Sequence, residues 1–287
     1  MEADPVTVRL LTHADLPAAD SLFNGAYGRS SGLGQTALND HLTWQEDGWL
    51  LAEQGQAAVG MVYAIRFDTY TYVGVMSVVP RLQRRGVGQA LMSRLLADLK
   101  TQGVKTVRLD ATPEGVALYK RFGFIEEGTK MLFRRVKPMR DESPVMSPVA
   151  VRPLLYKELA TLNTYDLPRF GADRSRVLKT LLKRYQERAF SCWNAGRLTG
   201  YVLASPRIIG PWVADDPETA EGLLLEALKL PFDEGPTIIA PGANEEAGPL
   251  LYKHGFEAAR QTLHMCWGER TAIAYDEIYA QVSFAVG

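Results

Sequence analysis

Two stretches far apart in the 287-residue chain carry the same pattern. "EGVALYKRFGF" closes on Gly123-Phe124 and "AGPLLYKHGF" closes on Gly255-Phe256. Upstream, "VTVRLL" (6–11) is answered by "VAVRPL" (149–154). Between these markers the order of elements also repeats. The first half reads as a strand at 6–11, a helix in "THADLPAADSLFNGAYG", two strands around a glycine turn in 49–67, and a strand at 70–80. A helix over 87–103, a strand over 104–111, a short helix over 112–124 and a last strand over 128–136 follow. A chain that repeats on this scale is expected to fold as two similar α/β units. The stretch rich in proline and charge at 138–148 reads as a linker, giving expected domains 1–137 and 149–287.

Composition narrows the class. Hydrophobic residues make up 46 % and charged residues 23 %, enough for ordinary cores. A formal net charge of −1 argues against a general nucleic-acid partner. Residues 1–140 carry 17 basic and 14 acidic side chains, and the remainder lean acidic, which suits a polyanionic ligand in the first half. The two cysteines, Cys192 and Cys266, and the four histidines lack ligand spacing, so no metal site is expected. No signal peptide and no bilayer-length apolar run are visible. The expectation is a cytoplasmic protein without a membrane partner.

The two halves differ at places that bear on chemistry. "QRRGVG" (83–88) lies where a strand hands over to a helix. Free first-turn amides and the helix dipole make such a junction an anion site, and glycine lets a phosphate reach the backbone. Arg84 and Arg85 add positive charge at its rim. The stretch resembles the Q/R-x-x-G-x-G/A signature of the GNAT superfamily of N-acetyltransferases, and "ALYKRFGF" is similar to that family's L-Y-x-x-x-G-F element. The matching order covers roughly residues 5–136, and the repeat makes the chain similar to bacterial tandem proteins of this kind. The resemblance implies two tandem domains, each a mixed, mainly antiparallel sheet flanked by helices.

It also implies acetyl-CoA as acyl donor, with its pyrophosphate on residues 84 to 89 (Arg84, Arg85, Gly86, Val87, Gly88 and Gln89). The pantetheine arm would lie along Ser77, Val78 and Val79, where an exposed strand edge offers amide partners. Tyr119 matches the family's tyrosine that protonates the departing thiolate; a phenol remains protonated at neutral pH. The family's base position falls on Tyr72, which is no carboxylate. Asp68 and Tyr70 lie nearby, and a water-mediated base or an amine that arrives neutral would also serve, so no base is assigned.

The second half lacks the signature. Its counterpart helix begins "VADDPETAEG", with Asp215 and Asp216 set to repel phosphate, and Leu251 stands where Tyr119 does. It reads as a degenerate copy that shapes the substrate site or only supports the first. "YDLPRFGADRSRVL" (165–178) is similar to a segment of tandem family members, and Asp166, Asp173 and Arg174 are candidate acceptor contacts there. The other reading of that segment is a helix cap at Asp173 with a surface ion pair. Tyr27, in the glycine-rich "NGAYGRSSGLG", and Tyr72 are further acceptor candidates. The apolar tail (273–287) is expected to pack back on the body, at the seam between the halves. The leading expectation is an N-acetyltransferase acting on a primary amine, a small molecule before an exposed lysine or N-terminus. The alternative is a non-catalytic acyl-CoA-binding sensor. A homodimer is left open.

Overall fold

The computed structural model describes residues 4–27, 34–136 and 149–287. The expected linker (138–148) and residues 28–33 of the glycine-rich segment lie outside the described residues. The chain forms two compact units.

Unit 1 comprises Met1–Ile125, Met265–Arg270 and Val286. Its elements are β1 (Val6–Leu10), α1 (Leu16–Tyr27), α2 (Gln35–Trp44), β2 (Trp49–Gln54), β3 (Ala57–Arg66), β4 (Thr71–Val78), α3 (Val87–Thr101), β5 (Thr106–Ala111) and α4 (Val116–Arg121). Strands β1 to β4 form an antiparallel meander, and β5 joins β4 in parallel. Helix α3 buries Val87, Leu91, Met92, Leu95, Leu96 and Leu99, one face at helical spacing. It sits directly on the sheet because β3 has Gly60 beneath it. A Cβ there would fall 2.9 Å from Val87 Cγ1 and 3.0 Å from the Ser77 carbonyl oxygen.

Unit 2 comprises Glu126–His264, Thr271–Ala285 and Gly287. In chain order it carries β6 (Ile125–Arg135), β7 (Val151–Pro153), α5 (Leu159–Phe170), α6 (Ser175–Arg184), β8 (Ala189–Asn194), β9 (Arg197–Ala204) and β10 (Ile209–Ala214). Then follow α7 (Pro217–Ala227), β11 (Thr237–Pro241), α8 (Ala247–Lys253), β12 (Phe256–Gly268) and β13 (Ile278–Ala280). Strands β7 to β10 repeat the antiparallel meander. Helix α7 repeats α3: under it β9 has Gly200, whose Cβ would fall 2.7 Å from Thr219 Cγ2 and 2.9 Å from Leu223 Cδ1. The duplication read from the sequence is thus a duplication of packing.

The units part from the sequence boundary at one strand each. β6, the last strand of the first half, lies in unit 2, where Leu132 and Phe133 pair with Ile239 and Ile238 of β11. Residues 265–270, at and just past the end of β12, belong to unit 1, where the Glu269 amide donates to the Lys105 carbonyl (3.0 Å). Backbone pairing decides this, and composition carries no trace of it. Helix α2 is likewise absent from the sequence reading. It is polar, and its N-cap is Gly34 with no side-chain cap, so it lacks an ordinary start signal.

Under α2 lies an aromatic box. The His41 ring stacks on Tyr63 at 4.6 Å and tilts against Trp44 and Trp49 at 5.4 and 5.7 Å. Burial pushes its imidazole pKa from 6.5 down to about 3. With the folded value depressed, the unfolded chain binds the extra proton first, so stability is lost as pH falls below 6.5. The loss runs at up to about 1.4 kcal/mol per pH unit. We expect His41→Phe to reduce the fall in melting temperature between about pH 6.5 and about pH 4.5. An equal fall in variant and wild type would remove His41 from this role.

Candidate active site

Strand β4 turns away from β5 partway along. The parallel pairs are Thr71↔Val107, Tyr72↔Arg108 and Val73↔Leu109, and they stop there. Beyond them Val75 adopts φ 53, and the register against β3 shifts between Met61 and Tyr63. A β-bulge of this kind bends a strand out of its ladder. From Gly74 to Val78, β4 therefore has a partner on the β3 side and none among the named strands on the β5 side. The Val79 amide donates inward to the Val59 carbonyl (3.0 Å). Successive backbone groups alternate in direction, so the Val78 amide points to the open edge. Of the expected arm-binding residues, Val78 offers its backbone outward, whereas the Val79 amide is spent inside the sheet. The Ser77 hydroxyl is buried without a hydrogen-bond partner.

The open edge leads into the signature turn. Gln83 Nε2 donates to the Val78 carbonyl (3.3 Å), tying turn to strand. Arg84 and Gly86 take left-handed φ values of 60 and 90, and the exposed Gly86 caps α3 with no side-chain hydrogen bond. The first intrahelical bond is Ala90 N to Gly86 O, so the amides of Val87, Gly88 and Gln89 have no acceptor within the helix. A Cβ on Gly86 would meet nothing within 4 Å, leaving room for a ligand against the backbone. Gly88 serves packing instead. Its Cβ would come 3.2 Å from Leu118 Cδ2, so the glycine admits α4 against α3. Arg84, Arg85 and Gln89 are exposed at the rim. A diphosphate fits this arrangement of donors, positive charge and space.

Helix α4 places Tyr119. The Gly123 turn (φ 84) ends the helix, and the Phe124 amide returns to the Tyr119 carbonyl (3.2 Å). The Tyr119 ring is buried edge-on to Phe124 at 5.9 Å and close to Gly115, where a Cβ would approach it to 3.1 Å. Tyr72 donates its hydroxyl to Asp110 Oδ2 across the β4–β5 pair. Tyr27 ends α1, and its side chain lies outside the described residues.

Unit 2 fills both halves of the equivalent site with its own groups. Setting Gly255-Phe256 on Gly123-Phe124 places Asp216 opposite Arg84 and Glu218 opposite Gly86. Asp216 caps α7, accepting from the Thr219 amide (2.8 Å) and hydroxyl (2.9 Å). Asp215 accepts from Tyr165, Arg169 and Arg197. Just before β10, Ile208 makes an isolated parallel bridge to Thr237 of β11. Past that bridge the tail enters: β13 pairs with β10 through Ala280↔Trp212 and Ile278↔Val213, and the Gln281 amide donates to Ile239 of β11 (3.0 Å). Tyr279 lies against Trp212 at 4.8 Å. Residues 278–281 of the tail, expected at the seam between the halves, thus lie between β10 and β11 of unit 2. Leu251, opposite Tyr119, is wholly buried, and Tyr252 is exposed.

The charged segment 165–178 also reads differently in three dimensions. Asp166 accepts two 2.8 Å bonds from Arg174 and a 2.5 Å bond from Tyr201, with all three side chains buried. Asp166 and Arg174, expected as acceptor contacts, are spent on each other in the core of unit 2. Charge neutralised at such short range can be buried, and sequence shows the charge without the partner. Asp173 accepts from the Ser175 amide (2.7 Å) in the turn before α6, whose N-cap is Arg174 with no side-chain cap.

The comparisons agree with this architecture. Two acetyltransferase (GNAT) domain profiles match residues 33–140 and 162–280. The chain belongs to the GNAT acetyltransferase family, whose enzymes use acetyl-CoA as donor, and is an N-acetyltransferase. It is 26 % identical over 230 residues to the uncharacterized N-acetyltransferase YitH of Bacillus subtilis, covering 77 % of this chain and 78 % of that one. The ribosomal protein bS18-alanine N-acetyltransferase of Escherichia coli is 26 % identical over 151 residues, 49 % of this chain and 95 % of that enzyme. A solved Pyrococcus horikoshii structure, described as a candidate acetyltransferase, superposes with TM-score 0.86 at 28 % identity, over 100 % of this chain and 98 % of that one. A tandem GNAT protein from the clavulanic acid biosynthesis pathway shares the fold (TM-score 0.67, 14 % identity, 92 % and 98 % coverage). Among the described residues no helix is long and apolar enough to cross a membrane.

Gly86→Glu places a carboxylate where the turn is open and forces a left-handed φ on it, a strain of about 1–3 kcal/mol. We expect it to abolish acetyl-CoA binding in calorimetry while the chain still melts cooperatively. Retained affinity would move the donor site elsewhere.

Proposed function

We propose that unit 1 transfers acetyl from acetyl-CoA directly to the primary amine of a small molecule. The observation that carries the reading is the open β4 edge leading to the uncapped α3 amides, in a chain whose second unit has both places filled. Arg84 and Arg85 supply charge to the donor's phosphates, the first-turn amides orient them, and the Val78 backbone offers its amide to the donor's arm. Tyr119 gives its phenolic proton to the departing sulfur.

Direct attack is favoured over a covalent acetyl-cysteine. Both cysteines are buried, and burial pushes the Cys192 thiol up to about 12, far from a reactive thiolate. The E. coli bS18 enzyme is matched nearly end to end by half of this chain, so acetylation of a protein N-terminus needs no second unit. The added unit is the reason to place the acceptor among small amines. Tyr27 of unit 1 stays an acceptor candidate in this reading. The protein is placed in the cytoplasm, with no nucleic-acid, membrane or metal requirement.

The test is release of free thiol from acetyl-CoA with spermidine, tyramine, glucosamine, L-lysine and an alanine-initiated peptide. Turnover on a small amine and none on the peptide is expected. Preference for the peptide would overturn the small-molecule assignment, and tight binding without turnover on any amine would favour a sensor. Tyr119→Phe should preserve acetyl-CoA affinity and lower kcat on the order of 10²–10⁴-fold, the usual cost of a lost acid. Wild-type kcat in this variant would return Tyr119 to a packing role.

A further inference from the structure

We propose that Asp110, held by Tyr72, is the base that takes the proton from the attacking amine. The proposal rests on the acetyl-transfer reading and supplies the group that reading lacks. Asp110 is the first residue of β5 beyond the last parallel pair, Val73↔Leu109. It therefore stands at the fork where β4 and β5 separate, at the inner end of the open edge.

Strand register fixes the face it occupies. Gly60 faces α3, so Met61, Tyr63 and Ile65 face the opposite side, where His41 of α2 stacks on Tyr63. Tyr72 pairs with Ile65 and Arg108 pairs with Tyr72, which puts both on the α2 side. Asp110, two residues on, shares that face. The α3 amides that receive the donor's phosphates lie on the other side of the sheet. An amine that approaches from the α2 side thus meets Asp110 without crossing the donor's path.

The surroundings of the carboxylate suit a base. Asp110 is half-buried, open enough to meet an acceptor and sheltered enough for its charge to be felt. Tyr72, almost wholly buried, donates its hydroxyl to Oδ2 and so fixes the rotamer. Arg108, on the same face, is buried with its guanidinium 4.8 Å from the Tyr70 ring centre, which walls the inner end of the group. As the nitrogen bonds to the acetyl carbon it becomes strongly acidic, so a carboxylate suffices to accept its proton. The C–N bond forms and the C–S bond breaks. The nitrogen's proton goes to Asp110 and later to solvent, while the sulfur takes its proton from Tyr119, which is reprotonated from solvent. Tyr72 acts through Asp110 and is a positioning residue.

The test uses the full chain and whichever amine of the panel wild type acetylates fastest. Asp110→Asn should lower kcat on the order of 10²-fold or more, with acetyl-CoA affinity and melting temperature near wild type. Asp110→Glu should recover part of the rate, and Tyr72→Phe should lower kcat about 10-fold with acceptor KM little changed. Asp110→Asn within threefold of wild-type kcat overturns the proposal. So does a raised acceptor KM at unchanged kcat, which would make Asp110 a binding group for the ammonium. If Asp110→Asn fails to fold, unimpaired kcat in both Asp110→Glu and Tyr72→Phe overturns it. Absence of wild-type turnover on every amine would instead defeat the acetyl-transfer reading itself.

Discussion

A strand that leaves its neighbour in mid-sheet exposes backbone donors and acceptors that need partners. In this chain β4 leaves β5 after Val73, bent by the bulge at Val75. The site of unit 1 follows from that parting. The opened edge turns the Val78 amide outward, the fork leaves Asp110 half-buried at its inner end, and the strand's end delivers the chain to the turn at Gly86. The signature turn depends on the same bend, because Gln83 ties it to Val78 on the bent segment.

Unit 2 meets the same demand from within. Strands β10 and β11 also separate, and β13 enters between them with its own backbone partners. The first turn of α7, which would otherwise attract an anion, is capped by the Asp216 carboxylate. A peptide strand and a side-chain carboxylate thus stand where an amide-bearing arm and a phosphate would lie. The two substitutions reinforce each other, since an uncapped helix beside a filled cleft would leave donors unsatisfied. The duplicated fold retains its packing, down to the glycines under each helix, and differs in who completes the cleft.

How much of this is legible in sequence depends on the range of the interaction. The repeat, the signature turn and the placement of Tyr119 are local patterns within a dozen residues, and the chain displays them openly. The buried Asp166–Arg174 pair reads as a surface feature because its third member, Tyr201, comes from a distant strand, and charge normally marks a surface. The tail's destination is hidden because "IYA" is too short to carry a register signal. The reassignment of β6 and the end of β12 between the units leaves no compositional mark. Tyr72 stands out in sequence for not being a carboxylate, while the carboxylate it holds, Asp110, lies across the strand pair.

The central claim is that the chain has one donor cleft open to acetyl-CoA and one closed by its own tail. Calorimetric titration of the full chain with acetyl-CoA tests it most directly. The account predicts one binding event per chain. Two sites of comparable affinity would contradict it.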